Sequence, residues 1–304
     1  MHLPFIAALL LAIAARVQAA ETPAQTLLDG AIQEVFAEFP ALKSNQLAVT
    51  LVLLPEKQHA MRAGYRGDQP IYPASVVKLF YLAAAHRWME DGRIGDTPEL
   101  RRAMRDMIVD SGNDPTHYIV DLLTGTTGGP ELPEAEMKEW GEKRNAVNRY
   151  FRSLGYEKIN VNQKPWGDGP YGRERVWVGT NYHNRNALTT DATARLLVEI
   201  AGGLCVSGER SGQMMALLKR EFKPGTKDDQ GSNFTGKGLP DGARLWSKAG
   251  WTSTTRHDAA YVELSGGQKI VLVTFTTGHS NNREIIPSLT RRIIAALPRV
   301  EDQR

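Results

Sequence analysis

Strand-like segments cluster near the two ends of this chain, and a fold must bring those ends together. Leu47 to Leu54 is rich in Val and Leu, Pro55-Glu56-Lys57-Gln58 turns the chain, and His59 to Tyr65 returns as a second strand. Far downstream, Arg244 to Lys248, Ala259 to Leu264 and Ile270 to Thr277 read as strands, the last two joined by a Ser265-Gly266-Gly267-Gln268 hairpin. Candidate helices near 75–91, 97–108, 115–123, 134–154, 190–201 and 209–219 fill the middle. Leu27, Leu28, Ile32, Val35, Phe36 and Phe39 form a first amphipathic helix stopped by Pro40, and Ile285, Ile286, Leu289, Ile293, Ile294 and Leu297 a final one. This order predicts an α+β fold: one antiparallel sheet built from both termini, flanked by helices, with an inserted, mainly helical lobe. We expect one domain over residues 20–304, its α/β lobe made from 20–68 and 220–304 and its helical lobe from 69–219.

Several function classes are disfavoured by the residues themselves. The net charge of +3 comes from interspersed charges with no basic run, so nucleic acid is not an expected partner. Cys205 is the sole cysteine, which excludes an intrachain disulfide and a multi-thiolate metal site, and it sits in an apolar run as a small buried residue. His117, His183, His257 and His279 lack metal-ligand spacing, so neither a metal nor a cofactor is expected. Leu3 to Ala15 is apolar but short for a bilayer span, and Val17-Gln18-Ala19 has the small residues of a signal-peptidase site. Residues 1–19 therefore read as a cleaved export signal, with a retained membrane anchor as the alternative. The mature chain is expected to be periplasmic or secreted, monomeric and without stable membrane insertion.

The chemistry centres on Pro73-Ala74-Ser75-Val76-Val77-Lys78, where a hydroxyl and an amine stand three residues apart at the start of a helical run. Such residues share a helix face, and a buried lysine that loses its proton can act as base towards a serine. An N-capping Ser followed by a solvated Lys explains the same four residues without chemistry. Asp110-Ser111-Gly112-Asn113-Asp114-Pro115 is a polar turn between two helical runs, which helix capping alone would account for. Trp246-Ser247-Lys248-Ala249-Gly250-Trp251 lies on a strand, and Gly250 there admits a close backbone approach.

Together and in this order, the three stretches resemble the S-x-x-K, S-x-N and K-T-G motifs of the penicillin-recognising serine enzymes, the class A β-lactamases and D,D-peptidases. Leu239-Pro240-Asp241-Gly242 and Thr189-Thr190 are similar to class A sequences as well. The resemblance implies an acyl-enzyme on Ser75, with Lys78 as its base or proton relay. Ser111 would pass a proton to the departing nitrogen, and Lys248 would hold that proton path and a substrate carboxylate. Asn113 would bind the substrate amide, and the backbone N–H groups of Ser75 and Trp251 would form the oxyanion hole beside Gly250. Arg256 is a candidate second carboxylate clamp, with an ion pair to Asp258 as the alternative. The implied substrate is a small β-lactam or a cell-wall peptide. The implied activities are a β-lactamase-type hydrolase, a D,D-peptidase-like enzyme, or a penicillin-binding sensor acylated without turnover.

Departures from that pattern bear on the last distinction. Ala249 stands where Thr or Ser is usual, Gly112 replaces an Asp, and the Ser75–Ser111 interval is short for a class A enzyme. No E-x-x-L-N sequence supplies a deacylating carboxylate. Glu174, in the loop from Asn162 to Leu188, is the candidate, although its neighbours Arg173 and Arg175 equally suggest a surface salt bridge. Trp166, Tyr171, Trp177 and Tyr182 in that loop either wall a site mouth or pack the loop down, and Asn184-Arg185-Asn186 is placed to pin it. Gly231 to Gly238 nearly matches a phosphate loop, but Gly238 replaces the needed Ser or Thr, so we expect a flexible surface loop.

Overall fold

The structure is a computed structural model and describes residues 22–56 and 59–298, so the expected export signal lies outside the described residues. Thr22 caps helix α1 (Pro23–Glu38), whose chain then enters strands β1 (Leu47–Leu53) and β2 (Met61–Tyr65). Helices α2 (Lys78–Glu90), α3 (Pro98–Ile108), α4 (Asn113–Thr124), α5 (Glu134–Arg144), α6 (Ala146–Ser153), α7 (Gly172–Val178), α8 (Thr190–Ala201) and α9 (Gly208–Leu218) follow. The short strand β3 (Lys219–Arg220) and helix α10 (Asp229–Ser232) lead to β4 (Arg244–Trp251), β5 (Thr255–Glu263), β6 (Lys269–Thr277) and α11 (Ile285–Ala296).

The six strands pair antiparallel in the order β2-β1-β6-β5-β4-β3. β1 from the N-terminal end thus sits beside β6 from the C-terminal end, Leu47 opposite Thr276 and Leu53 opposite Ile270. Period-two alternation assigns the strands' two faces. Leu47, Val49, Leu51, Leu53, Ile270 and Leu272 pack against α1 and α11. Ala48, Val52, Val271, Val273 and Phe275 belong to the core shared with the helical middle. Helix α2 is apolar nearly all round, from Leu79 through Ala85, which marks a helix buried on every side. The sheet and this buried helix are the rigid parts on which the candidate site stands.

Three expectations need correction. The helix expected over 134–154 is two, broken at Asn145. The long loop carries α7, a single short helix that its scattered aromatics hid. The Gly231–Gly238 stretch is not a loose surface loop: Gly231, Phe234, Thr235, Gly236 and Gly238 are buried in helical turns against β4 and α11. A side chain on Gly238 would meet the Pro287 carbonyl at 2.5 Å, so close packing rather than flexibility accounts for that glycine.

Candidate active site

Ser75 lies in a tight turn, Ala74–Val77, that runs directly into α2. Ala74 is left-handed at φ 46°, a conformation that costs a non-glycine residue energy and persists only where its surroundings enforce it. Two enforcing contacts are visible. His257 on β5 accepts the Thr276 N–H at Nδ1 (3.1 Å), so its other ring nitrogen carries the proton and donates to the Tyr72 carbonyl (2.9 Å), just ahead of the turn. Burial pushes this imidazole down to about 4, so it is neutral at physiological pH. The second contact is β4 itself. β3 covers β4 only at Leu245 and Trp246, and beyond them the β4 edge runs along the serine turn. A Cβ on Gly250 would lie 2.8 Å from the Ser75 backbone nitrogen and 2.7 Å from the Pro73 carbonyl.

Lys78 is fully buried at the start of α2. Its Nζ donates to the Ser111 carbonyl (2.6 Å) and to Asn113 Oδ1 (2.9 Å), with Ser111 Oγ at 3.4 Å. Among the described residues it has no ion-pair partner and no hydrogen bond to Ser75 Oγ. Desolvation lowers its pKa to about 7, which makes a neutral amine available near neutrality. Ser111 is held at φ 58° between α3 and α4, presenting its carbonyl to one lysine and its hydroxyl to another. Lys248, also fully buried, donates to Ser111 Oγ (2.9 Å), Gln230 Oε1 (2.5 Å) and the Ala249 carbonyl (2.7 Å). Burial, then the nearby Lys78 and Arg220, keep its pKa well below the ordinary lysine value. Two buried lysines, one from the helical middle and one from the sheet, therefore converge on the Ser111 turn. An array of this kind can relay a proton from a serine hydroxyl towards a leaving nitrogen.

The other predicted residues lie around this centre. Trp251 is 46% exposed at the end of β4, its ring 5.7 Å from Phe234. Arg256, opposite Trp251 in the ladder, is 6% exposed. Its guanidinium stacks 3.9 Å from the Phe234 ring and Nη2 donates to the Asn233 carbonyl. The alternative ion pair is not formed: Asp258 accepts from the backbone nitrogens of Thr235 and Ala259 instead.

Glu174 is not at the surface. Its carboxylate is buried and bidentate on Arg144 (2.6 and 3.1 Å), with Lys164 at 3.5 Å. Arg173 and Arg175 turn away to the carbonyls of Pro130 and Thr180, because a helical turn points adjacent side chains in different directions. Asp121 completes this group, 2.8 Å from Lys164. Tyr81, one turn along α2 from Lys78, donates to the Gln163 carbonyl and ties α2 to the loop. Asn186 Oδ1 accepts the backbone N–H of Asn162 and Gln163, and Asn184 Oδ1 accepts from Asn160 and Asn162, so these asparagines do pin the loop. Trp177 packs on Trp140 and Trp166 on His117, while Tyr171 and Tyr182 remain exposed.

Sequence reasoning missed Gln230, Arg220 and Arg144, and named His257 only as a histidine without metal-ligand spacing. Each is a polar residue whose partner lies far along the chain, and no local motif marks it. The near phosphate-loop pattern beside Gln230 pointed the wrong way.

Residues 93–297 match the family model of the beta-lactamase enzyme family, and the chain belongs to that family. The match begins downstream of Ser75 and Lys78. The fold is that of class A β-lactamases. A β-lactamase from Sphaerobacter thermophilus superposes with a TM-score of 0.64 at 20% identity, over 90% of this chain and 98% of that one. A PBP-A point mutant, an acyl-enzyme complex with penicillin G, gives 0.65 at 21% identity, over 91% and 97%. A class A β-lactamase from Bacteroides cellulosilyticus gives 0.63 at 16% identity, over 90% and 98%. No curated protein matches the sequence.

Proposed function

We propose that this chain is an exported serine hydrolase that opens a β-lactam or related amide through an ester on Ser75 and releases the acyl group slowly. Lys78, as neutral amine, takes the Ser75 hydroxyl proton while Oγ attacks the carbonyl carbon. The backbone N–H groups of Ser75 and Trp251 receive the oxyanion. As the C–N bond breaks, Ser111 delivers its hydroxyl proton to the nitrogen and is reprotonated from the lysine pair. Water then cleaves the ester. Asn113 and Arg256 would contact the substrate's amide and acidic groups. The observation that carries this reading is the buried Lys78, paired with no carboxylate among the described residues and held against Ser111 and Asn113. Slow release is supported by the pairing of both Glu174 oxygens with Arg144, which ties that carboxylate into a buried ion pair in place of a free orientation towards a hydrolytic water. A D-alanyl cell-wall peptide is the natural amide of the same chemistry.

Intact-mass spectrometry beside a chromogenic cephalosporin assay tests this. We expect an adduct of one acyl group that persists with slow colour, and none in Ser75→Ala. Rapid colour without an adduct would overturn slow release. An adduct surviving in Ser75→Ala would remove Ser75 as nucleophile.

A further inference from the structure

We propose that Gln230 is a positioning residue of this site: its carboxamide aims Lys248 at Ser111, and as a neutral group it sets the pH range over which Ser75 is acylated. The inference rests on the acylation reading above.

Gln230 is 4% exposed and uses both ends of its amide. Oε1 accepts from Lys248 Nζ at 2.5 Å and from the Ala249 N–H at 3.3 Å. Nε2 donates to the carbonyls of Val109 at 2.7 Å and Ile108 at 3.1 Å. Only one amide orientation satisfies two donors on one side and two carbonyls on the other. Those carbonyls close α3, where helices leave acceptors without intrahelical partners. Arg220 donates to the same pair, at 2.7 Å to Ile108 and 3.2 Å to Val109, and to the Ser247 carbonyl at 3.0 Å. Ser111 follows two residues later. Gln230 therefore fixes both ends of the Lys248–Ser111 hydrogen bond, the strand that carries the lysine and the helix end that carries the serine.

Its neutrality matters because, among the described residues, no anion lies in contact with Lys248. The three acceptors around Nζ are a hydroxyl, a carboxamide and a backbone carbonyl. The charged groups that face it are Lys78 from α2 and Arg220 from β3, which repel, and Asp228 ahead of α10 and Asp258 from β5, which attract more weakly. Asp228 lies 3.7 Å from Arg220, Asp258 is taken up by backbone N–H groups, and Asp110 beside Ser111 pairs with Arg105. Ser111 bridges the two lysines, so their protons are lost as a coupled pair. Acylation needs one amine neutral and one proton retained for the leaving nitrogen, which predicts a bell-shaped pH profile. A carboxylate at position 230 would make the pair keep its last proton to higher pH.

The test measures the second-order rate of β-lactam adduct formation by intact mass from pH 5 to 10, in the wild type, Gln230→Glu and Gln230→Met. Wild-type acylation is the prior condition, and its absence would remove the acylation reading instead. Gln230→Glu keeps an acceptor and the side-chain volume, and its alkaline limb should rise by about one pH unit or more. Gln230→Met removes the acceptor and should slow adduct formation at least about tenfold with little change in reversible affinity. A wild-type alkaline limb in Gln230→Glu, or a wild-type rate in folded Gln230→Met, overturns the proposal; if Gln230→Met does not fold, the Gln230→Glu profile decides alone.

Discussion

Gly250 offers the sharpest perturbation, because its constraint is purely steric. Its backbone conformation is open to other residues, but an added Cβ would lie 2.7 Å from the Pro73 carbonyl, 2.8 Å from Ser75 N and 2.9 Å from Val76 N. Ordinary contact begins at 3.4 Å. Relief therefore requires the serine turn and β4 to separate by roughly 0.5–0.7 Å, in a turn already held at a left-handed Ala74. That separation acts directly on the backbone nitrogen expected to receive the oxyanion. Misplacement approaching 1 Å at a reacting centre costs on the order of a hundredfold in rate. We expect Gly250→Ala to slow Ser75 acylation by about 10- to 100-fold and to lower stability by about 1–3 kcal/mol. The assay is adduct formation by intact mass on protein whose thermal transition remains cooperative. A folded Gly250→Ala that is acylated at the wild-type rate would refute the link between this clearance and the nucleophile.

Arg144→Met leaves the buried Glu174 carboxylate with Lys164 alone, which should cost about 3–5 kcal/mol and lower Tm by roughly 10 °C in a thermal melt. If Glu174 is structural, Glu174→Gln should leave the lifetime of the Ser75 adduct unchanged in a mass time course. Because burial brings Lys78 to about 7, acylation should rise with pH through that value as the amine becomes neutral, and a flat profile from pH 5 to 8 would contradict the base assignment. His86 and His257 are both depressed to about 4 by burial, so the unfolded chain takes up protons from about pH 6.5 downward while the folded chain does not. Each should withdraw about 2 kcal/mol of stability by pH 5 and little further below about pH 4, which urea titrations across that range would show.

Hydrophobic periodicity placed the sheet strands and most helices, because burial of one face leaves a local imprint on composition. The candidate set Ser75, Lys78, Ser111 and Lys248 was legible for a related reason: the motifs that nominate it are short turns, and the structure brings Lys78 and Lys248 onto Ser111. The aromatic-rich loop was misread because the short helix α7 carries too few residues to show a period. Glu174 was legible as a carboxylate in the long loop, yet its partner Arg144 lies thirty residues upstream on another helix.

What the sequence alone determined is the α+β frame and a set of candidate groups on it, since both are written in neighbouring residues. Only the tertiary structure decided how those groups are charged and aimed. Burial depth lowers the pKa of Lys78, Arg144 occupies Glu174, His257 braces Tyr72, and Gln230 joins Lys248 to the end of α3. Each of these depends on desolvation or on a hydrogen bond between distant segments, and neither exists until the chain has closed around them.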